Sequence, residues 1–348
     1  DRTGRRERLT IASAATKMVV LGAGSWGTAL AIQFARAGRP TVLWGRDGEQ
    51  MAAMADARLN QRYLPDAPFP SNLVVEADLD AALAGARDIL VVVPSHAFRE
   101  MLQQISPFCG AGTRIAWATK GFELETGKLP HQVAEDVLGP DVPLAVLSGP
   151  TFAKEVGAGL PTAMTVASSD TGFARELAES LSSEAFRAYT SSDISGVEVG
   201  GAVKNVLAIG AGISDGLGFG ANTRVALINR GLVEMMRLGV ALGAQRETFM
   251  GLAGMGDLVL TCTDDLSRNR RMGLMLAAGK SVAEAQTEIG QVVEGIQAAR
   301  AVWQVAHRQG VDMPITEQIY RILYKGQSPS SAVEALMARD LRPEFPLG

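Results

Sequence analysis

Residues 18–30 read Met18-Val19-Val20-Leu21-Gly22-Ala23-Gly24-Ser25-Trp26-Gly27-Thr28-Ala29-Leu30. An apolar run leads straight into glycines spaced G-x-G-x-x-G, and a helix-forming string follows at once. Gly22 permits a sharp turn, Gly24 lets the backbone approach a pyrophosphate, and Gly27 lets the helix pack close to the strand. The free N–H groups at the helix start then face the anion. A plain glycine turn in another α/β protein would use the same letters. The strand before it, the helix after it and a second strand at the right distance favour a dinucleotide.

The same region admits another reading. Met18–Ala35 carries no formal charge and follows Arg2, Arg5, Arg6 and Arg8, so its length alone would allow a membrane helix or an uncleaved signal. A helix through Gly22, Gly24, Ser25 and Gly27 loses backbone entropy at each glycine. Strand, turn and helix account for the stretch better, and the chain is read as not membrane-embedded. Residues 1–16 read as a disordered tail.

Outward from the turn, short apolar runs alternate with helical patterns. Strands are expected at Met18–Leu21, Thr41–Trp44, Leu73–Val75, Ile89–Val93, Arg114–Ala118 and Leu144–Leu147, with Met164–Ala167 and Phe186–Tyr189 extending one end. Most are continuously apolar, as strands covered on both faces are. Helices are expected between them, as at Thr28–Ala37 and Gly48–Arg58, which implies right-handed crossovers. From Asp193 the strand signal fades and helices are expected at Ile194–Ile213, Thr223–Leu242, Arg268–Ala278, Val282–Ile289, Gly295–Gln309, Ile315–Tyr324 and Ala332–Ala338. The expected fold is α/β: a doubly wound, mostly parallel Rossmann-type sheet followed by an all-α second domain. The domains are placed at 17–192 (dinucleotide-binding) and 193–340 (helical, substrate).

Composition bounds the partners. The 348 residues are 47% hydrophobic with a net charge of −4, which suits about two globular domains and excludes disorder as the main state. No basic excess points to nucleic acid. Two cysteines and three histidines suit a reducing cytoplasm and leave little for a metal site, so none is expected.

Candidate chemistry clusters in four places. The second strand ends Trp44-Gly45-Arg46-Asp47. An acid here would bond the ribose hydroxyls of NAD and an arginine would meet the 2′-phosphate of NADP. Arg46 is nearer the strand end, so NADP is expected to be accepted well and NAD not excluded. Gly196, Gly200, Lys204, Ala208 and Gly212 recur every four residues on one helix, placing a single long cation on a strip of small side chains. Crowding would desolvate Lys204 and lower its pKa toward the working pH, as a general acid–base lysine requires. A lysine snorkelling beside a packing seam is the other reading. Asn205 would orient Lys204 or contact a substrate hydroxyl. Asp257, in an apolar loop, would position a cation such as Lys204. Ser267-Arg268-Asn269-Arg270-Arg271 opens a helix with a serine cap, free N–H groups and a guanidinium, an anion site suited to phosphate; Arg270 and Arg271 also read as a solvated face. Strand ends at Thr119-Lys120-Gly121 and Ser148-Gly149-Pro150-Thr151 lie where ligands of open parallel sheets bind, and His96 sits at another such end. His131 and His307 read as surface or satisfied helix residues.

Together these segments resemble the bacterial NAD(P)-dependent sn-glycerol-3-phosphate dehydrogenase family over residues 17–325. The likeness rests on Gly22–Gly27, Val93-Pro94-Ser95-His96, Trp117-Ala118-Thr119-Lys120-Gly121 and Ser148-Gly149-Pro150-Thr151-Phe152-Ala153-Lys154-Glu155. It continues in Gly200-Gly201-Ala202-Val203-Lys204-Asn205, Gly254–Thr263, Ser267-Arg268-Asn269-Arg270 and Gln291-Val292-Val293-Glu294-Gly295. The resemblance implies reversible hydride transfer between NAD(P)H and C2 of dihydroxyacetone phosphate, in the cytoplasm, supplying glycerophospholipid synthesis. It implies Lys204 as acid–base residue, supported by Asp257. Lys120, Gly149, Thr151, Asn205 and Thr261 would contact substrate, and Ser267, Arg268 and Asn269 would hold its phosphate. The cofactor would meet the glycine turn, Ser25, Trp26, Arg46, Lys120, Ala153, Arg268, Val292 and Glu294. Trp26 occupies a variable aromatic position, and Asp47 replaces a second basic residue of some members, which leaves the strength of NADP preference open. A homodimer is left open, since the small-residue helix would serve packing within or between subunits. Two alternatives stand beside this reading: a related hydroxyacid dehydrogenase, and a non-catalytic NADP-binding redox sensor.

Overall fold

The computed structural model describes residues 16–340 and 344; the tail expected at 1–16 lies, apart from Thr16, outside them. Ten strands are present among the described residues: β1 (Met18–Leu21), β2 (Thr41–Trp44), β3 (Leu59–Asn60), β4 (Leu64–Pro68), β5 (Leu73–Glu76), β6 (Asp88–Val91), β7 (Arg114–Trp117), β8 (Leu144–Ser148), β9 (Thr162–Ala167) and β10 (Phe186–Ser191). Eight form one sheet in the order β10-β9-β8-β7-β6-β1-β2-β5. All neighbours are parallel except β8 and β9, which run antiparallel. Every residue of β1, β6, β7 and β8 is buried, because helices cover both faces. That double cover is why these strands read as unbroken apolar runs rather than alternating ones.

The uncharged stretch from Met18 splits into β1 and the helix Ser25–Arg36. Winding reverses between β1 and β6, and the carboxyl ends of β1, β6, β7 and β8 carry Gly22, Pro94-Ser95-His96, Lys120 and Gly149 to one edge. That edge is where parallel sheets bind ligands.

After β10 the described chain is helical. The helix Ile194–Gly216 is long and apolar enough to cross a membrane, yet its most apolar window lies wholly inside the protein. Its small residues explain the burial. A Cβ on Gly212 would stand 2.0 Å from the Arg270 carbonyl, and one on Gly200 would stand 2.3 Å from the Ala253 carbonyl. The strip of small side chains therefore seats two other elements, the helix Arg268–Ala277 and the turn Leu252–Gly256, at backbone contact. Around it a separate apolar core forms from Val203, Leu207, Leu238, Phe249 and Val302, while the two faces of the sheet have their own.

Two local features depart from expectation. A two-stranded antiparallel hairpin, β3–β4, precedes β5; its strands are too short for a periodic signal. Asp257 stands at the start of the helix Asp257–Thr263 rather than in a loop, directly after the π-helical turn Leu252–Gly256. Gly254 is required there: a Cβ would lie 2.3 Å from the Phe249 carbonyl oxygen.

Candidate active site

Three charged side chains meet at the centre of the molecule. Lys204 Nζ donates to Asp257 Oδ1 at 2.6 Å, and Lys120 Nζ donates to Asp257 Oδ2 at 2.7 Å. Lys204 also donates to Thr261 Oγ1 at 3.1 Å, and that hydroxyl donates to the Asp257 carbonyl at 2.6 Å. Glycines make the meeting possible. The bare Gly200 admits the Ala253 carbonyl, bringing the π-turn and hence Asp257 against the lysine helix. Beside it, the stem of Lys120 crosses the face of Gly201, with Cγ 3.4 Å from where a Cβ would be.

Burial sets the electrostatics. Asp257 is 1% exposed and Lys204 7%. Desolvation lowers the Lys204 pKa to about 8, with Lys120 pushing the same way and Asp257 pulling against both. Burial raises the Asp257 carboxyl, but the two ammonium groups outweigh it and hold it below its ordinary value. Lys204 is thus a cation close to giving up its proton near neutral pH, beside a carboxylate that stays ionised.

Lys120, Lys204 and Thr261 line a cavity of about 340 Å³, with Asp257 behind them. On the sheet side its lining includes Ser25, Trp26, Lys120, Thr151 and Ala153; on the helical side Lys204, Asn205, Thr261, Ser267, Arg268, Asn269 and Glu294. A smaller space of about 80 Å³ shares Lys120, Asn205 and Glu294 and adds His96 and Val292. Gly149 directly follows β8, two residues before Thr151. Arg46 is exposed at the end of β2 and lines neither space. Asp47 caps the helix Gly48–Ala57, accepting from Gln50 N at 3.1 Å, so its carboxylate already has a structural use.

Asn205 makes no side-chain hydrogen bond to Lys204 among the described residues. Its Nδ2 donates to Glu294 Oε2 at 3.2 Å and its Oδ1 accepts from Asn269 Nδ2 at 3.0 Å; Asn269 Oδ1 in turn accepts from Gly295 N at 2.8 Å. This amide chain ties the starts of helices Arg268–Ala277 and Glu294–Arg308 to the lysine helix. Ser267 caps the first of them, accepting from Arg270 N at 3.2 Å. Arg268 makes one long contact, to Gln291 Oε1 at 3.5 Å. Arg270, read with its neighbour as a solvated face, is instead buried between Asp215 and Asp265.

Sequence reasoning missed several lining residues. Tyr63 and Leu64 arrive on the β3–β4 hairpin, and Ala118, Phe152, Lys154, Leu266 and Gln291 also line the wall, with Arg271 of the expected anion cluster beside them. Lys154 and Gln291 lie inside motifs already singled out, while nothing local marks Tyr63. His131, read as a surface or satisfied helix residue, is a satisfied one: its Nδ1 lies 2.5 Å from buried Glu198 Oε2, and Glu198 also accepts from Trp117 Nε1 at 3.1 Å.

The first half of the chain, residues 17–174, matches the family of NAD-dependent glycerol-3-phosphate dehydrogenase N-termini, and residues 193–334 match the corresponding C-termini. Glycerol-3-phosphate dehydrogenase [NAD(P)+] of Photobacterium profundum is 57% identical over 331 residues, 95% of this chain and 98% of that one. The chain belongs to the NAD(P)-dependent glycerol-3-phosphate dehydrogenases. The Vibrio cholerae member is 59% identical over 94% of this chain and 96% of its own. The crystal structure of the glycerol-3-phosphate dehydrogenase of Coxiella burnetii superposes with a TM-score of 0.90 at 48% identity, covering 93% of this chain and 99% of that one.

The glycine turn of this dehydrogenase fits the dinucleotide its family uses. A Cβ at Gly22 would strike the Val92 carbonyl at 2.3 Å and one at Gly27 the Gly22 carbonyl at 1.8 Å, while a Cβ at Gly24 would meet only open space. Two glycines therefore close the turn and the middle one leaves backbone open to a ligand. No side chain caps the helix Ser25–Arg36, and Trp26 Nε1 is buried without an acceptor on the cavity wall.

Proposed function

We propose that this dehydrogenase interconverts dihydroxyacetone phosphate and sn-glycerol 3-phosphate in the cavity between the sheet edge and the helical region, with Lys204 as the acid–base residue. The observation that carries the reading is the buried Asp257 carboxylate holding two ammonium groups at the cavity floor. A bound nicotinamide nucleotide supplies or accepts the hydride at C2. Lys204 gives its proton to the carbonyl oxygen during reduction and takes it back during oxidation; a pKa of about 8 suits both directions. Asp257 and Thr261 fix where the Lys204 proton points. Lys120 adds a second positive charge where the oxygen turns negative, a contribution on the order of 3 kcal/mol for such a donor. Ser267, Arg268 and Asn269 hold the substrate phosphate at the helix start, so that C2 is positioned by a fixed anchor. Gly149, Thr151 and Asn205 complete the substrate contacts.

For the cofactor, Gly22, Gly24, Ser25, Trp26 and Gly27 form the pyrophosphate cradle, with Lys120, Ala153, Arg268, Val292 and Glu294 beyond it. Arg46 meets the adenosine end, supported by its exposure and by the engagement of Asp47 in capping. The kcat/KM ratio of NADPH over NADH in the Arg46→Ala variant is expected to fall about tenfold, the loss of one charge-assisted contact; an unchanged ratio removes Arg46 from that role. The two described cysteines are free, which suits a cytoplasmic enzyme, and its product is the phosphorylated backbone of glycerophospholipids.

The deciding experiment follows NADPH absorbance. Oxidation on addition of dihydroxyacetone phosphate, with no rate from 2- or 3-keto acids, is expected. A faster rate with a keto acid would favour the hydroxyacid reading, and no rate with any substrate would leave a sensor.

A further inference from the structure

We propose that Arg271 is a second phosphate-binding guanidinium of this cavity, acting beside Arg268 on a phosphate ester of the bound molecules; the proposal rests on the substrate and cofactor reading above. Arg271 stands three residues after Arg268 on the helix Arg268–Ala277, so the two share a face. Helical side chains lean toward the N-terminus. Arg271 therefore reaches back over the turn that Ser267 caps, where the anion is to be held, and it lines the same cavity.

Its state of pairing separates it from its neighbour. Arg270 is neutralised by Asp215 and Asp265. Arg271 makes no side-chain hydrogen bond or ion pair among the described residues; the Nε of both arginines is buried without an acceptor, so the two differ at their terminal nitrogens. The terminal N–H groups of Arg271 are left to water, which a ligand oxygen arriving in the cavity replaces with charge-assisted bonds. The charge around the cavity agrees. Five cationic side chains line it against one lining carboxylate, Glu294, and Asp257 behind them is already shared by two lysines. Lys154, Arg268 and Arg271 have no carboxylate partner among the described residues. Phosphate oxygens match a guanidinium fork, which donates two parallel bonds. Two sources of that chemistry are at hand, the substrate phosphate and the phosphates of the dinucleotide.

The test uses the full chain with Arg271→Gln and Arg271→Lys, first shown folded by circular dichroism. The KM for dihydroxyacetone phosphate and the Kd for NADPH, by fluorescence titration, are measured against the parent. Loss of charge-assisted bonds to phosphate is expected to raise one of the two by about 10- to 100-fold, with kcat changed far less, and lysine recovering part of the loss. A rise in KM alone assigns the substrate phosphate, and a rise in Kd assigns the dinucleotide. Both values staying within about threefold in the glutamine variant overturns the proposal. A parent enzyme inactive with the triose phosphate defeats the functional reading instead, and the NADPH Kd, with inorganic phosphate as competitor, still decides whether Arg271 binds phosphate.

Discussion

Turnover of the Lys204→Ala variant is expected to fall by about 10³- to 10⁴-fold, the upper range for removing a general acid–base group, while NADPH still binds. The expectation comes from position. Lys204 Nζ is held by Asp257 at 2.6 Å and Thr261 at 3.1 Å inside the cavity. Lys204→Arg should fare little better, because a guanidinium keeps its proton across the working range. Steady-state rates in both directions and a fluorescence titration with NADPH check this. Turnover within tenfold of the parent would remove Lys204 from the chemistry, and loss of NADPH binding would point to a packing role. The pH profile supplies a further check in the parent. Reduction needs the ammonium and declines as pH rises through about 8; oxidation needs the free amine and rises through the same value.

Replacing Asp257 by asparagine has the second largest expected effect. The substitution keeps shape but leaves two ammonium groups facing each other in a buried site, and breaking a buried pair costs about 3–5 kcal/mol. One lysine then sheds its proton. With the upward pull of Asp257 gone, burial and Lys120 lower the Lys204 pKa below about 8, so the alkaline decline of reduction moves to lower pH. We expect kcat to drop about 10²- to 10³-fold, roughly 3–4 kcal/mol of barrier, with the shifted profile visible in the residual rate. An unshifted profile would show that Asp257 does not control the proton on Lys204.

Some of this was legible residue by residue. The turn at Gly22–Gly27 is written in steric terms, since two of its three glycines have carbonyls where a Cβ would go. Ser267 announced a cap that the structure shows at 3.2 Å. The strip Gly200, Lys204 and Gly212 announced close approach without saying to what. Other features left no local trace. Asp257 read as a loop residue because a single π-helical turn has no period of its own. Nothing near Asn205 said that it would face Glu294 and Asn269 rather than Lys204. Arg270 and Arg271 are adjacent and alike in sequence, yet one is neutralised and the other is not.

The division follows the range of the forces. The glycine turn and the helix caps depend on neighbours a few residues away, and the strands and helices leave a local pattern of apolar residues, so the order of amino acids marks them without naming their distant partners. The charge cluster depends on partners 53 and 137 residues apart, and on the π-turn and the helix Arg268–Ala277 reaching backbone distance of the lysine helix at Gly200 and Gly212. Folding alone brings Lys120, Lys204 and Asp257 out of water together, and that shared desolvation turns two ordinary lysines and an aspartate into an acid–base site.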